Sequence, residues 1–160
     1  MNYATIKNCD IANGPGVRIS LFVSGCTHHC KGCFNEVAWD FDYGEPFTQQ
    51  TIRTILDMMK PGYIKGLTLL GGEPFEPENQ GPIVELLRQV KKAYPQKSIW
   101  AFDDRALSSG ASICVRPSAG GASRSRFSDD AVLQLVSDIN LSVLGGAVAV
   151  DINFQVNLAG

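Results

Sequence analysis

The stretch "VRISLFVSGCTHHCKGC", residues 17–33, joins a strand pattern directly to a cluster of cysteines. Its first half alternates large apolar residues with other side chains, which predicts a β-strand over residues 17–24; the apolar positions are Val17, Ile19, Leu21 and Val23. The cysteines therefore fall in a loop at the carboxyl end of this strand. In α/β proteins with parallel strands, active sites are built at that end.

Helix and strand patterns alternate in the chain that follows. Thr48 is a suitable N-cap for a helix whose apolar positions are Ile52, Ile55, Leu56 and Met59 and which Pro61 and Gly62 would end. A short apolar strand is predicted over residues 66–70, a second helix over 82–94 and a third strand over 97–102. Strands separated by helices predict an α/β fold with a parallel sheet.

Length and composition place the chain in a broad class. At 160 residues, with 14 basic and 16 acidic side chains, it has the size of one domain and no polybasic surface. Neither nucleic acid nor a membrane is therefore an expected partner. The first residues lack a signal-peptide pattern and no apolar run approaches the roughly 20 residues of a membrane span, so we expect a cytoplasmic protein. Five cysteines, three of them clustered, indicate ligation or redox chemistry rather than disulfides.

The last 60 residues differ from the first 100. From Ala101 onward the chain has no Lys, Glu, Thr, Tyr, Trp, His or Met. Residues 103–127 are predicted to be a loop or disordered, residues 128–140 a helix capped by Ser128, and residues 141–156 form an apolar run. We expect a single domain over residues 1–160, of which 101–160 are divergent, and translation in a shifted reading frame is our hypothesis for this change.

The three clustered cysteines, Cys26, Cys30 and Cys33, form a Cys-x3-Cys-x2-Cys pattern. Close thiolates select zinc, copper(I) or iron-sulfur clusters. Structural zinc usually has four protein ligands, and Cys9, Cys114, His28 or His29 could supply the fourth. A four-iron cluster with three cysteine ligands would instead leave one iron open for a small molecule, whereas electron-carrying clusters normally have four cysteines. Both alternatives remain open on spacing alone.

A second motif, "LLGGEPF", lies at the end of the next predicted strand. Gly71 and Gly72 would let the backbone approach a ligand closely, and Glu73 offers a charge-assisted acceptor for a cation. The alternative is an ordinary tight turn.

The cysteine loop followed by Phe34, together with the Gly-Gly-Glu-Pro turn, resembles the radical S-adenosylmethionine superfamily. The resemblance implies a partial (β/α) barrel with a curved parallel sheet. It also implies a [4Fe-4S] cluster on Cys26, Cys30 and Cys33, and no catalytic side chain beyond the cluster and adenosylmethionine. Adenosylmethionine, as cosubstrate, would lie with its adenosine portion along Gly32, Cys33 and Phe34. Its methionine portion would be held by Gly71, Gly72 and Glu73.

Three further segments, "NGPGVR", "LFVSGC" and "CKGCFN", resemble the activating family of glycyl-radical enzymes. Phe34 and Asn13 favour the members that act on anaerobic ribonucleoside-triphosphate reductase over those that act on pyruvate formate-lyase. The resemblance implies an oxidoreductase that makes the reductase's glycyl radical, with electrons from a flavodoxin-like donor. Residues 13–18 would face the partner's glycine loop.

This resemblance covers about residues 3–100 and then fails, because the family's later segments are absent. Two other interpretations therefore stand beside an active enzyme. One is a zinc-stabilised binding module, and the other is a catalytically impaired remnant of the activating enzyme.

Overall fold

The computed structural model describes residues 1–102, 139–144 and 147–152 and has a mixed α/β fold. Its strands form one sheet in the order β3-β1-β2-β4-β5-β7-β6. The strands are β1 (Asn2–Asp10), β2 (Val17–Val23), β3 (Glu45–Pro46), β4 (Ile64–Gly71), β5 (Ser98–Phe102), β6 (Ile139–Leu144) and β7 (Ala147–Ile152). The helices are α1 (Gln49–Met59) and α2 (Pro77–Ala93), and a single 3-10 turn covers Glu36–Trp39.

The centre of the sheet is parallel, as predicted. Strand β2 pairs with β4, and β4 pairs with β5, all in the same direction. Helices α1 and α2 connect these strands, and their apolar residues join those of the three strands in one buried core. The core includes Ile19, Leu21, Ile55, Leu69, Leu86, Val90 and Ile99. Only one face of each central strand enters this core, which accounts for the alternation that predicts β2.

Helix α1 begins and ends where the sequence predicts. The Thr48 side chain accepts a hydrogen bond from the Thr51 N–H, and the Thr51 hydroxyl accepts one from the Thr48 N–H, which closes a capping box. At the other end the Lys97 ammonium donates to the Met59 carbonyl oxygen and, at 2.9 Å, to that of Pro61. Lys97, the residue before β5, thus satisfies a carbonyl that the end of α1 leaves without a partner. Among the described residues, no helix is long and apolar enough to cross a bilayer.

Several elements differ from the prediction. Strand β1 was not predicted, and it pairs with β2 in the antiparallel direction. Helix α2 begins at Pro77, ahead of the predicted start at residue 82. The helix predicted over residues 128–140 is wrong at residues 139 and 140, which belong to β6. The rest of that helix and the predicted loop or disordered segment over 103–127 lie outside the described residues. Strand β7 pairs with β5 in the antiparallel direction, so the described sheet is parallel only at its centre.

Arg18 lies at the amino end of the parallel strands and is fully buried. Its Nε donates to Thr68 Oγ1 at 2.6 Å, and its Nη1 donates to Ser98 Oγ at 2.8 Å and to the Pro15 carbonyl at 3.3 Å. Its Nη2 donates to the Leu67 carbonyl at 2.7 Å. The expectation that residues 13–18 face a partner is therefore wrong for Arg18, whose guanidinium holds the loop before β2 against β4 and β5.

Candidate functional site

The cysteine loop lies at the carboxyl end of β2, as predicted. The Gly25 N–H donates to the Ala38 carbonyl at 2.8 Å, and the Cys26 N–H donates to the Trp39 carbonyl at 3.2 Å. Cys26 is buried, whereas Cys30 and Cys33 are half-buried, and all three thiols are free. Three free thiols on one loop form a donor set that fits an iron-sulfur cluster.

The Gly-Gly-Glu-Pro turn follows β4 and lies directly against this loop. The Gly72 N–H donates to the Val23 carbonyl and the Glu73 N–H donates to the Gly25 carbonyl, both at 2.8 Å. A Cβ added at Gly71 would lie 2.6 Å from the Val23 oxygen, and one at Gly72 would lie 2.5 Å from the Gly25 oxygen. The glycines are thus required by the chain's own backbone, and they bring the two predicted motifs into contact.

Glu73 is buried, with 1% of its surface exposed, and its carboxylate is directed towards the cysteine loop. Its Oε1 accepts a hydrogen bond from the Phe75 N–H at 2.8 Å. Its Oε2 lies 3.6 Å from His28 Nδ1. His28 is half-buried between Glu73 and Cys26.

Two residues at the start of α2, Glu76 and Asn79, connect the motifs and were missed by the sequence analysis. Glu76 Oε1 accepts hydrogen bonds from the Thr27 N–H at 2.9 Å and from the Thr27 hydroxyl at 2.6 Å. Asn79 Nδ2 donates to the carbonyls of Ser24 and Glu73, both at 3.0 Å. The run of polar residues in "EPENQ" right after the glycine turn was the available signal.

The surroundings of Cys26 oppose a bare thiolate. Burial raises the pKa of the Cys26 thiol, a backbone hydrogen bond from His28 acts against that rise, and the negative charges of Glu73 and Glu76 add to it. A positive ion beside the sulfur would offset all of the effects that raise this pKa. The buried thiol and its neighbouring carboxylates therefore fit a metal-containing group.

The residues predicted to contact adenosine, Gly32 and Phe34, lie on the exposed side of the cysteine loop. Gly32 has a φ of 80° with no heavy atom within 4 Å of an added Cβ, and Phe34 is 94% exposed. His29 is exposed, and its ring meets Trp39 edge-on with centroids 4.5 Å apart. Phe41 lies against Gly25 of the loop, whereas Tyr43 is exposed.

The two cysteines outside the motif take no part in this site. Cys9 is exposed and not buried, and its sulfur lies 4.0 Å from the Tyr63 hydroxyl at the other end of the sheet. Cys114 lies outside the described residues.

Comparison with known families first defines the class of protein. The family model of the 4Fe-4S single cluster domain matches residues 12–109, a range that contains both the cysteine loop and the Gly-Gly-Glu-Pro turn. The chain therefore carries a 4Fe-4S single cluster domain.

The relatives narrow this class further. The anaerobic ribonucleoside-triphosphate reductase-activating protein of Enterobacteria phage T4 is 45% identical over 102 residues, which cover 64% of this chain and 65% of the phage protein. The proteins of the same name from Vibrio cholerae and Escherichia coli K12 are 41% and 40% identical, over 67% and 64% of this chain and 70% and 68% of their own lengths. The chain therefore belongs to the family of anaerobic ribonucleoside-triphosphate reductase-activating proteins. It spans less than two thirds of the phage relative's length. No solved structure gives a significant match.

Proposed function

We propose that this chain is a radical S-adenosylmethionine enzyme that generates the glycyl radical of an anaerobic ribonucleoside-triphosphate reductase. The observation that carries the proposal is the contact between the cysteine loop and the Gly-Gly-Glu-Pro turn, joined through the Glu73 N–H and the Gly25 carbonyl. The names of the relatives support the choice of partner. A reduced flavodoxin-like protein in the cytoplasm is the proposed electron donor.

In this proposal Cys26, Cys30 and Cys33 hold a [4Fe-4S] cluster and leave one iron open for adenosylmethionine. When bound, the cluster would supply one electron for the reductive cleavage of adenosylmethionine into methionine and the 5'-deoxyadenosyl group, which would take a hydrogen atom from a glycine of the partner and become 5'-deoxyadenosine. The protein must orient these groups and exclude water.

The cosubstrate contacts are assigned to two surfaces. Gly32 and Phe34, which lie on the exposed side of the loop, would bind the adenosine portion. Gly71, Gly72 and Glu73 would bind the methionine portion, with the buried Glu73 carboxylate as acceptor for its ammonium group. Glu76 and Asn79 hold both surfaces in position by hydrogen bonds.

We further propose that β2, β4 and β5 are part of a (β/α) barrel of radical S-adenosylmethionine type and that residues 1–160 form one such domain. The site at the carboxyl ends of these parallel strands supports this, because barrel enzymes build their sites there.

Anaerobic reconstitution with iron and sulfide tests the cluster. The full chain should become brown and hold about four irons, because three thiolates bind three irons of a four-iron cluster and the fourth iron is left open. Cys30→Ser should lose the iron, whereas the matched control Cys9→Ser, at an exposed cysteine outside the loop, should retain it. A colourless chain with one tightly bound zinc would overturn the proposal in favour of a zinc-stabilised binding module.

A catalytically impaired remnant is the second candidate, favoured by the change in composition after residue 100 and by a family match that ends at residue 109. The reconstituted chain should release 5'-deoxyadenosine from adenosylmethionine under a strong reductant and give a glycyl-radical signal with the reductase. A brown chain that releases none would be the remnant. Sequencing the coding DNA tests the proposed frameshift, which would be abandoned if no other frame after codon 100 continues the family's sequence.

A further inference from the structure

Cys26, His28 and Glu76 form a compact group of metal ligands at the carboxyl end of β2. The sulfur of Cys26, an imidazole nitrogen of His28 and a carboxylate oxygen of Glu76 all lie within 4.8 Å of one another. Cys26 and Glu76 are buried, and His28 is half-buried. Among the described residues, this is the one group in which three possible metal-ligand atoms lie this close together. It contains one of the three clustered cysteines.

One distance in this group matches the spacing of two ligand atoms around a single zinc ion. Zinc–sulfur bonds of about 2.3 Å and zinc–nitrogen bonds of about 2.1 Å at the tetrahedral angle place the two ligand atoms about 3.6 Å apart. The Cys26 Sγ to His28 Nδ1 distance is 3.6 Å. Glu73 Oε2 also lies 3.6 Å from that nitrogen, so a second carboxylate borders the same position. A thiolate, an imidazole and a carboxylate are the ligand types that zinc takes in proteins.

Thr27 orients the carboxylate of this group. Its N–H and hydroxyl both donate to Glu76 Oε1. A carboxylate has about four lone-pair sites, so Glu76 can keep both hydrogen bonds and still bind a metal ion. Such outer hydrogen bonds are typical of ligating carboxylates, because they fix the ligand's orientation before the metal arrives.

We propose that the cluster-free chain binds one Zn²⁺ through Cys26, His28 and Glu76, and that zinc and the iron-sulfur cluster exclude each other. The zinc site goes beyond the proposed function and does not depend on it. The mutual exclusion does rest on the proposed function, since it follows from the use of Cys26 by both metals. Zinc bound at this position would therefore block cluster assembly.

Zinc titration of the full, reduced, cluster-free chain against a chromophoric chelator tests the site. The chain should bind one zinc. His28→Asn and Glu76→Gln should each weaken zinc binding by at least about tenfold, since each removes a ligand. Cys33→Ser should bind zinc within about twofold of the parent, because it leaves the three ligands in place. Equal loss of zinc in Cys33→Ser and Cys26→Ser would overturn the proposal in favour of a thiolate site.

Iron loading gives the opposite pattern and keeps the two proposals separable. His28→Asn should retain the parent's iron content, whereas Cys33→Ser should lose it. Zinc-loaded chain should fail to take up iron until a chelator is added, and cluster-loaded chain should take up no zinc. A parent that loads iron but binds no zinc overturns this inference alone. A parent that binds zinc through these ligands but never loads iron overturns the proposed function alone.

Discussion

The two ends of the parallel strands bury charge in different ways. At the amino end, the guanidinium of Arg18 donates to oxygens of Pro15, Leu67, Thr68 and Ser98. At the carboxyl end, the carboxylates of Glu73 and Glu76 lie beside the thiol of Cys26. In the loop beyond, the Cys33 N–H donates a backbone hydrogen bond to the Cys30 carbonyl.

The difference separates a structural charge from a functional one. A buried cation that is surrounded by oxygen acceptors stabilises the fold and offers little to a ligand. Two carboxylates beside a buried thiol form a set that a bound cation would complete. The amino end therefore holds the strands in register, and the carboxyl end is where we place the ligands.

Arg18→Ala should have the largest effect on stability. Its loss leaves several buried oxygens without their donor and creates a cavity, so we expect the free energy of unfolding to fall by about 3–5 kcal/mol. Urea denaturation measures this change. Arg53→Ala, on the exposed side of α1, is the matched control and should change stability by less than about 0.5 kcal/mol. Similar losses of unfolding free energy in Arg18→Ala and Arg53→Ala would show that Arg18 is not a structural charge at the amino end.

Gly71→Ala tests the close approach of the two motifs at the carboxyl end. The residue has a φ of 113°, and an added Cβ would lie 2.6 Å from the Val23 oxygen. Strain and overpacking together should lower the free energy of unfolding by about 2–4 kcal/mol. The control is Gly62→Ala, where an added Cβ meets nothing within 4 Å. A stable Gly71→Ala chain would show that the two loops can separate without cost.

Asn79→Ala should loosen the carboxyl end without disturbing the amino end. Its buried amide joins the Ser24 and Glu73 carbonyls, so its removal should lower the free energy of unfolding by about 1–3 kcal/mol. Hydrogen exchange should speed up at the amides of Gly72 and Glu73 and stay unchanged along the start of β2. Gln80→Ala, which removes one hydrogen bond to the Phe75 carbonyl, should have the smaller effect. Uniformly faster hydrogen exchange throughout the sheet would contradict the claim that the carboxyl end loosens independently of the amino end.

Asp10, at the amino end, should give the smallest effect, seen in the pH dependence. Burial acts to raise the pKa of its carboxyl, but hydrogen bonds from Asn13 and Ala12 outweigh it and hold the pKa below its ordinary value. The ionised form therefore adds stability that is complete above about pH 5 and is lost as pH falls from there through the folded-state pKa.

Asp10→Asn should lower the free energy of unfolding by less than about 1 kcal/mol at pH 7 and flatten its decline between about pH 5 and pH 3. Asn13→Ala should flatten the same decline in part, because it removes one of the hydrogen bonds that lower the pKa of Asp10. Denaturation curves at a series of pH values measure both. If the unfolding free energy of Asp10→Asn falls with pH as steeply as that of the parent, this carboxylate does not contribute to the pH dependence of stability.

The elements predicted correctly are those defined by residues close together in the sequence. The cap at Thr48 and the stop at Pro61 and Gly62 define α1 within a few residues. The cysteine loop was placed correctly because it follows a strand with clear alternation. Strand β1 was missed, because most of its side chains are exposed or half-buried and the sequence shows no apolar face.

The parts that were missed depend on contacts between distant segments. Helix α2 was started at Pro82 because its apolar period begins at Ile83, whereas its first turn is polar and contacts the loops. Glu76 and Asn79 belong to the site only because α2 begins beside the end of β2. Arg18 was assigned to a partner surface because one charged residue in a strand pattern does not reveal its acceptors.

Arg18 also constrains the order in which the chain can fold. Its acceptor Thr68 lies 50 positions along the chain, and its acceptor Ser98 lies 80 positions along it. The guanidinium cannot reach all of its acceptors until β5 has docked, so β2 and β4 alone would bury this charge at a cost. Long-range contacts of this kind slow folding. We therefore expect the sheet to form in one late cooperative step that waits for Ser98, rather than by stepwise growth from β2.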